Sequence, residues 1–303
     1  MMTPQKRPSN LVIVVTFALL CLIWGTTWSV ISVGLRGVPP FTGVALRFSI
    51  ASAILLGLSF ARGVRLGTSR REVALWFVNA VLAFSGSYGL VYWSEQWVPS
   101  GLTSVLFASY PLFVALMAHF FIPGERIGIV EGSGILVAFV GIAVIFSEDL
   151  SALGGPQVAT AAGILLLAPV VSAIASVVVK KFGAGVHYLS LTAVPMGLTG
   201  GIMGTVAWMT ERDRPITWNP ASVGALLYLA VMGSAVTFTL YYWLLSHLPV
   251  KRMALIAYII PIVAVFIGWL RAEPLTMRMI IGSALVIGAV AVATQHHQLS
   301  RRR

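Results

Sequence analysis

The sequence predicts an all-α polytopic membrane protein whose ten transmembrane helices form two inverted five-helix repeats. Three observations lead to this fold class. The chain is 58% hydrophobic and only 10% charged, with a mean hydropathy of +0.93, whereas soluble domains carry about 25% charged residues. Its apolar residues fall into ten runs of about twenty residues, the length that crosses one bilayer. One twenty-residue pattern also occurs twice, in residues 92–111 and 242–261.

The ten apolar runs follow one another through short connecting loops. They cover residues 11–32, 40–61, 72–94, 99–121, 127–147, 158–181, 187–209, 220–243, 249–271 and 275–294. The first run follows Lys6 and Arg7 and is similar to the start of a signal peptide. It continues through TTWSVISVGL (26–35) without a small-residue cleavage site, so we interpret it as a retained helix.

The repeated pattern indicates an internal duplication. YWSEQWVPSGLTSVLFASYP (92–111) and YWLLSHLPVKRMALIAYIIP (242–261) share an opening Tyr-Trp, a proline at the eighth place and a final proline. We therefore expect residues 11–147 to form the first repeat and residues 158–294 the second. Because five is odd, the second repeat enters the membrane from the opposite side. Inverted repeats are typical of secondary transporters, which bind their substrate at the repeat interface near mid-membrane.

Basic residues predict the orientation. With the N terminus in the cytoplasm, 14 of the 20 Lys and Arg residues lie inside and five lie outside, which favours cytoplasmic termini. The inner set is Lys6, Arg7, Arg62, Arg65, Arg70, Arg71, Arg126, Lys180, Lys181, Lys251, Arg252, Arg301, Arg302 and Arg303, and the outer set is Arg36, Arg212, Arg214, Arg271 and Arg278. A nucleic-acid partner is not expected, because that function needs a basic face on a soluble fold.

Several motifs resemble the EamA-type carriers of the drug/metabolite transporter superfamily. LIWGTTWSVISVGL (22–35) resembles their first helix, ALRF (45–48) their second, and GERIGIVEGSGILVAFVG (124–141) and AEPLTMRMIIGSALVIGAV (272–290) the helix that ends each repeat. In aromatic content the chain is most similar to the YddG-type amino-acid exporters. The resemblance implies a bacterial inner-membrane exporter of aromatic and small neutral amino acids, with other metabolites or drugs as alternative substrates. The second repeat departs at APVVSAIAS (168–176), which has no tryptophan.

Aromatic and hydroxyl side chains within the spans are the candidate substrate-binding residues. They are Trp24, Thr27, Tyr88, Tyr92, Tyr110, Ser172, Thr237, Tyr241 and Tyr258, with Ser176 as a further candidate. Residues four apart share one helix face, and aromatic walls can stack on side chains or ammonium groups. Trp93 and Trp243, at opposite membrane faces, are better explained as members of the interfacial aromatic belts.

Two prolines, Pro111 and Pro261, lie near mid-depth of the fourth and ninth spans, about 18 Å along each helix at 1.5 Å per residue. A proline frees the carbonyl four residues earlier, here on Phe107 and Ala257. The matching positions predict kinks that shape a cavity, although tolerated bends explain them equally well.

Arg47 is the one basic residue well inside a span, about 10 Å from the nearer helix end. It can hold a substrate carboxylate through two hydrogen bonds. The favoured alternative is that its long side chain reaches the outer interface or a helix C-terminus, because this depth is within its length.

Acidic residues bear on the driving force. Glu131 lies one turn into the fifth span, and the other acidic residues lie in loops or at span ends. Coupled carriers often keep a carboxylate at mid-membrane, so the sequence predicts uncoupled uniport, with sodium held by carbonyls freed at helix kinks as the alternative. It carries no glycine-rich phosphate loop, so no ATPase subunit is expected. The expected partners are the lipid bilayer and an amino-acid substrate.

An intramembrane enzyme is the remote alternative. Such enzymes need paired acids, or a Ser–His or His–Glu pair, within the bilayer. The five histidines lie at span ends, in loops or in the tail, and Cys21 is the single cysteine. We therefore expect no catalytic residue, no metal ligand and no cofactor.

Overall fold

The fold is a bundle of ten helices. The computed structural model describes residues 9–64, 66–67, 69–147, 155–248, 253 and 255–300 of the 303-residue chain. The helices are α1 (Asn10–Gly34), α2 (Pro40–Ala61), α3 (Arg70–Ser94), α4 (Ser100–Phe121), α5 (Ile129–Phe146), α6 (Gln157–Phe182), α7 (Ser190–Thr210), α8 (Pro220–Leu244, with its last turn continuing to His247), α9 (Ile256–Leu270) and α10 (Met277–Ser300). Eight are long and apolar enough to cross a membrane, and α9 and α10 carry shorter apolar segments.

The ten predicted spans are confirmed, one helix in each. In the ninth span, the helix that the structure describes begins at Ile256. Residues 249–252 and 254 lie outside the described part of the chain. Ten crossings place the start of α1 and the end of α10 on one face of the bundle. We call this face the N-side and the opposite face the far side.

Local signals in the sequence fix several helix starts. Pro40 and Pro220 occupy the first helical position, where a proline loses no hydrogen bond. Asn219 and Ser69 cap α8 and α3, because their side chains accept the N–H of the third residue beyond them, at 2.9 and 3.2 Å. At the start of α5, the Glu131 carboxylate accepts the Gly128 N–H at 2.9 Å.

π-helical turns occupy equivalent positions in the two repeats. They cover Asn79–Ser87 in α3 and Val231–Val236 in α8. A π-helical turn disturbs the regular bonding of helix carbonyls, and here such carbonyls receive side-chain donors. Ala80 accepts from the Thr199 hydroxyl of α7 at 3.2 Å, and Gly233 accepts from α2 at 3.2 Å. In each repeat the widened turn therefore contacts the second helix of the other repeat.

The two mid-depth prolines differ in their effect. Helix α4 is interrupted between Phe107 and Tyr110, immediately before Pro111. A tighter turn bridges the break, in which the Ser109 N–H donates to the Leu106 carbonyl at 3.3 Å. Helix α9, by contrast, continues through Pro261 from Ile256 to Leu270. A break in the helix therefore accompanies Pro111, whereas the expected kink at Pro261 stays a prediction.

Glycines bring helices of the two repeats into close contact. A Cβ on Gly25 of α1 would lie 2.4 Å from a methyl carbon of Val263 in α9. A Cβ on Gly141 of α5 would lie 2.8 Å from the carbonyl oxygen of Gly282 in α10. The repeats are thus interlocked, with α1 packed on α9, α5 on α10 and α2 on α7.

Candidate functional site

A cleft of about 410 Å³ opens on the N-side. It is lined by Val12, Thr16, Arg62, Tyr188, Thr239, Leu240, Tyr242 and Trp243. These residues come from the start of α1, the end of α2, the loop before α7 and the last turns of α8, so both repeats contribute. The volume lies within the usual range for small-molecule sites.

An unbroken series of aromatic rings leads from the cleft into the bundle. The ring series is Tyr188, Tyr242, Tyr241, Trp24, Phe238, Phe84 and Tyr88, with successive centroids 4.7, 5.3, 5.6, 5.9, 5.8 and 6.3 Å apart. Rings at these separations attract one another. Most of them remain half-buried rather than fully enclosed. The series therefore forms an aromatic wall shared by α1, α3, α8 and the loop before α7.

The ring series ends at the guanidinium of Arg47. Its Cζ lies 4.9 Å from the ring centroid of Tyr88 and 5.2 Å from that of Phe48. Both distances are within the range of cation–π attraction. Phe48 also meets Phe84 and Tyr88 edge to face, at 5.2 and 4.9 Å. Aromatic faces therefore partly replace the water that a guanidinium loses on burial.

Hydrogen bonds tie Arg47 to both repeats. Nε donates to the Ser234 hydroxyl at 3.0 Å, Nη2 to the Gly233 carbonyl at 3.2 Å and Nη1 to the Tyr92 hydroxyl at 3.3 Å. The residue is 0% exposed. The favoured expectation that the side chain reaches the outer interface is therefore wrong, because these partners hold it inside the bundle.

On the far side, hydrogen bonds between the repeats close the bundle. The Glu211 carboxylate, just beyond α7, accepts the N–H groups of Phe41 and Thr42 at 2.9 and 2.8 Å. It therefore caps the N-terminus of α2, where an anion is favourable. Nearby, the Thr217 N–H donates to the Gly37 carbonyl at 2.8 Å, which joins the α7–α8 loop to the α1–α2 loop.

A second far-side group links α1, α4 and the α9–α10 loop. The Ser100 hydroxyl donates to Glu273 at 2.6 Å and lies 2.9 Å from the Ser29 hydroxyl. Arg271 donates to the Ser29 carbonyl at 2.8 Å and lies 3.8 Å from the Glu273 carboxylate. The cleft on the N-side and these bonds on the far side define a conformation that is open on one face.

Six of the nine predicted substrate-binding residues lie along the ring series or beside its arginine. They are Trp24, Tyr88, Tyr241, Tyr92, Thr27 and Thr237. Thr27 is buried and its hydroxyl donates to the Ile23 carbonyl at 2.9 Å, while the Thr237 hydroxyl donates to the Ser234 carbonyl at 3.4 Å. The two threonines therefore flank the π-helical turn to which the arginine is bonded.

Tyr110 adjoins the ring series from α4. Its hydroxyl lies 2.7 Å from the Ser176 hydroxyl of α6, and it is close enough to Tyr241 and Tyr242 to interact with them electrostatically. Ser172, one turn before Ser176 on α6, is half-buried. Helices α4 and α6 thus form a further wall beside the rings.

Tyr258 is not part of this arrangement. It is 8% exposed and belongs to a separate apolar cluster with Leu112, Ala138 and Val290. Its hydroxyl donates to the Val290 carbonyl at 3.2 Å. The expectation that Tyr258 lines the same chamber as Tyr88 is therefore not met, because its side chain points toward α5 and α10.

Sequence reasoning missed several members of the site. Phe84 and Phe238 stand four and three residues before predicted tyrosines, so helical spacing alone could have placed them on the same faces. Ser234 stands 150 positions after Phe84 and therefore occupies the equivalent place in the second repeat. A small hydroxyl residue there leaves room for the guanidinium of Arg47.

The chemistry of the site is that of binding. Rings accept apolar groups and cations on their faces, and the Arg47 guanidinium has two N–H donors beyond the three that bond Ser234, Tyr92 and Gly233. Within the described ranges, His, Cys, Asp and Glu side chains form no group of three that could hold a metal ion. The arrangement suits a small solute that carries both an anionic end and an apolar or cationic part.

Comparisons with known proteins agree with this architecture. The sequence profile of the EamA-like transporter family matches residues 11–147 and again residues 159–295. The uncharacterized transporter YoaV of Bacillus subtilis (strain 168) is 25% identical over 284 residues, which cover 93% of this chain and 96% of YoaV. The uncharacterized inner membrane transporter YedA of Escherichia coli (strain K12) is 28% identical over 279 residues, covering 91% of this chain and 88% of YedA.

Two further comparisons extend the agreement. Protein PagO of Salmonella typhimurium is 27% identical over 253 residues, which cover 83% of this chain and 82% of PagO. A solved crystal structure superposes with a TM-score of 0.66 and 22% identity, covering 97% of this chain and 99% of the other, and so shares its fold. Because the family profile matches both halves of the ten-helix bundle, the chain belongs to the EamA-like transporter family.

Proposed function

We propose that this transporter exports aromatic and small neutral amino acids across the bacterial inner membrane by alternating access. The observation that carries the proposal is the ring series from the N-side cleft to Arg47. A carboxylate suits the guanidinium, through charge-assisted hydrogen bonds. The ammonium group and a varied side chain suit the aromatic wall. These are the parts that all amino acids share, so a broad range of substrates follows.

The orientation supports export. The distribution of basic residues favours an N-side in the cytoplasm, and the relative YedA is named as an inner membrane transporter. In that orientation the cleft admits solute from the cytoplasm. The far side, held by Glu211 and by the group around Glu273, then closes the route to the periplasm.

Alternating access follows from the inverted repeats. Two halves of similar fold and opposite orientation have two related packings, one open to each face. Moving from one to the other breaks the far-side bonds and brings the cleft-lining residues of α1, α2 and α8 together. Arg47 stands at the boundary between the aromatic wall and the far-side closure. It is therefore placed to sense a bound carboxylate during that change.

A substrate panel in proteoliposomes tests the proposal. Purified protein should move radiolabelled threonine, methionine and phenylalanine, with little flux of a labelled sugar or a cationic drug. Tyr88→Ala should raise KM at least about tenfold, because it removes one aromatic face worth roughly 1.4 kcal/mol, whereas Tyr88→Phe should stay near wild type. Tyr258→Ala is the matched control outside the ring series and should leave KM nearly unchanged.

Two results would contradict the proposal. One is flux of sugars or drugs in place of amino acids, which would favour the wider range of metabolites handled by this superfamily. The other is unchanged KM in Tyr88→Ala together with a raised KM in Tyr258→Ala, which would put the binding site in the α4–α5–α9–α10 cluster.

A further inference from the structure

Glu95 is a buried carboxylate with no hydrogen-bond partner for either oxygen among the residues that the structure describes. It directly follows the last turn of α3 on the far side and is 5% exposed. Buried polar groups are normally hydrogen-bonded, because an ionised carboxylate that has lost its water is costly without a partner. This side chain therefore calls for an explanation.

The other buried glutamates show what a satisfied carboxylate looks like in this bundle. Glu72 accepts a backbone N–H at 3.2 Å, and Glu131 accepts that of Gly128 at 2.9 Å. Glu211 accepts two backbone N–H groups at 2.9 and 2.8 Å. All three accept N–H groups from the start of a helix, where such groups are free: Glu72 and Glu131 at the start of their own helices, and Glu211, just beyond α7, at the start of α2. Glu95 stands at the end of one, where carbonyls rather than N–H groups are free.

Charged groups face Glu95 from several elements. Arg271 and Glu273 come from the α9–α10 loop, Arg47 comes from α2, and Tyr92 precedes it on α3. The first turns of α6, which pack against this end of α3, carry no titratable side chain. Burial, and next the Glu273 carboxylate, raise the pKa of Glu95 well above its ordinary value, while Arg47 and Arg271 act in the other direction.

We propose that Glu95 is a proton-binding site that is loaded when the far side closes and emptied when it opens. The proposal rests on the alternating access inferred above, but not on which solute is carried. Both repeats build the site, because its neighbours Arg271 and Glu273 belong to the second repeat. The expectation of uncoupled uniport placed Glu95 among the acids of loops and span ends, whereas its side chain is 5% exposed.

The direction of the pH effect follows from linkage. In the closed state the pKa of Glu95 is raised, and opening of the far side hydrates the carboxyl group and returns its pKa toward the ordinary value. Closing therefore takes up a proton from the far-side solution. Raising the far-side pH favours opening by up to tenfold per pH unit between the two pKa values. Outside that window the ratio of the two states does not depend on pH.

Infrared difference spectroscopy tests the site itself, without any transport. The C=O stretch of a protonated carboxyl group should persist in wild-type protein at a pH well above the ordinary carboxyl range. Glu95→Gln should remove that band, and Asp213→Asn, at a carboxylate that is 91% exposed on the same face, should leave it unchanged. A band that survives in Glu95→Gln, or that is missing in wild type, would overturn the proposal.

Accessibility of the far side tests the link to closure. The reporter is Ala225→Cys in a background where the natural Cys21 is replaced by serine. Ala225 is 5% exposed where α8 meets α1, so a cysteine there becomes accessible only when the far side opens. The rate at which a membrane-impermeant maleimide labels this cysteine is measured at several pH values. Thiols react faster as the pH rises, so each rate is divided by the rate for Arg212→Cys, an exposed far-side position, at the same pH. The ratio should rise with pH, by up to tenfold per unit, in the wild-type background.

With Glu95→Gln the same ratio should be low and independent of pH, because the amide imitates the protonated carboxyl group. A pH dependence that remains in Glu95→Gln would overturn the proposal. If the infrared band and the pH-dependent labelling both depend on Glu95 as expected but the protein does not transport amino acids, only the proposed substrate is contradicted.

Discussion

The Nε of Arg47 and the hydroxyl of Ser234 lie 3.0 Å apart, and this bond joins α2 of the first repeat to α8 of the second. At the offset of 150 positions, Gly197 occupies the place of Arg47 in the second repeat, and Phe84 occupies the place of Ser234 in the first. The charged contact therefore has no counterpart at the equivalent place in the duplicated half.

Two substitutions of Arg47 separate its contribution to stability from its contribution to substrate binding. Arg47→Ala removes hydrogen bonds to Ser234, Gly233 and Tyr92 and should lower the free energy of unfolding by about 3 kcal/mol. Arg47→Lys keeps the charge but not the planar donor fork. It should recover much of the thermal stability and still raise KM at least about tenfold for an amino acid. Thermal unfolding in detergent and flux in proteoliposomes give the two readouts.

A decarboxylated amine analogue is the control for that experiment. If Arg47 binds the carboxylate, Arg47→Lys should change the KM of an amino acid much more than that of the corresponding amine. Equal changes for both would show that Arg47 has a structural role alone.

The contact between α5 and α10 should not tolerate a methyl group. In Gly282→Ala the new Cβ would lie 2.6 Å from the carbonyl oxygen of Gly141, a backbone atom that cannot turn aside. We expect a loss of about 2 kcal/mol in stability. Gly163→Ala in α6, where nothing lies within 4 Å of the added carbon, is the matched control and should be neutral or slightly stabilising. Similar unfolding midpoints for the two variants would contradict the packing described here.

Glu211 should stabilise the closed far side. Its carboxylate caps α2 through the N–H groups of Phe41 and Thr42, so Glu211→Gln should weaken closure by about 1 kcal/mol. This corresponds to about fivefold more labelling of the Ala225→Cys reporter from the far side. Asp213→Asn removes an exposed carboxylate two residues away and should not change labelling. Equal labelling in both variants would mean that the cap does not hold this face closed.

Tyr110 should act mainly through its ring. Tyr110→Phe removes the 2.7 Å hydrogen bond to Ser176 and should cost about 1 kcal/mol of stability with little change in KM. Tyr110→Ala also removes aromatic surface beside Tyr241 and should raise KM severalfold. Flux measurements across the substrate panel check both variants. A large KM change in Tyr110→Phe would instead assign substrate binding to the hydroxyl.

The helices could be predicted from the sequence because hydropathy and bilayer thickness fix their number and approximate ends. The equivalence of α3 and α8 was also visible in the repeated motif, and the structure adds a π-helical turn to both. What hydropathy cannot give is the rotation of a helix about its axis. Tyr110 directly precedes Pro111 and Tyr258 lies one turn before Pro261, yet the Tyr258 side chain points toward α10 and that of Tyr110 toward α6.

The surroundings of the charged residues Arg47 and Glu95 could not be predicted from the sequence either. Seven residues from a helix end, Arg47 could reach the interface or the interior, and only the neighbouring Ser234 and Gly233 decide between them. Glu95 stands at a span end, where an acid is normally hydrated. Its burial depends on the α9–α10 loop, about 175 positions later in the chain, and so on contacts that no local pattern contains.

Counterflow in proteoliposomes containing only the purified protein tests the central claim most directly. Vesicles loaded with unlabelled methionine or threonine are diluted into a trace of the same labelled amino acid. Alternating access through one chamber predicts that label accumulates transiently above its equilibrium level, because unlabelled substrate returns the carrier to the outer face. Label that only equilibrates, or enters at the same rate without internal substrate, would contradict a chamber that opens to one face at a time.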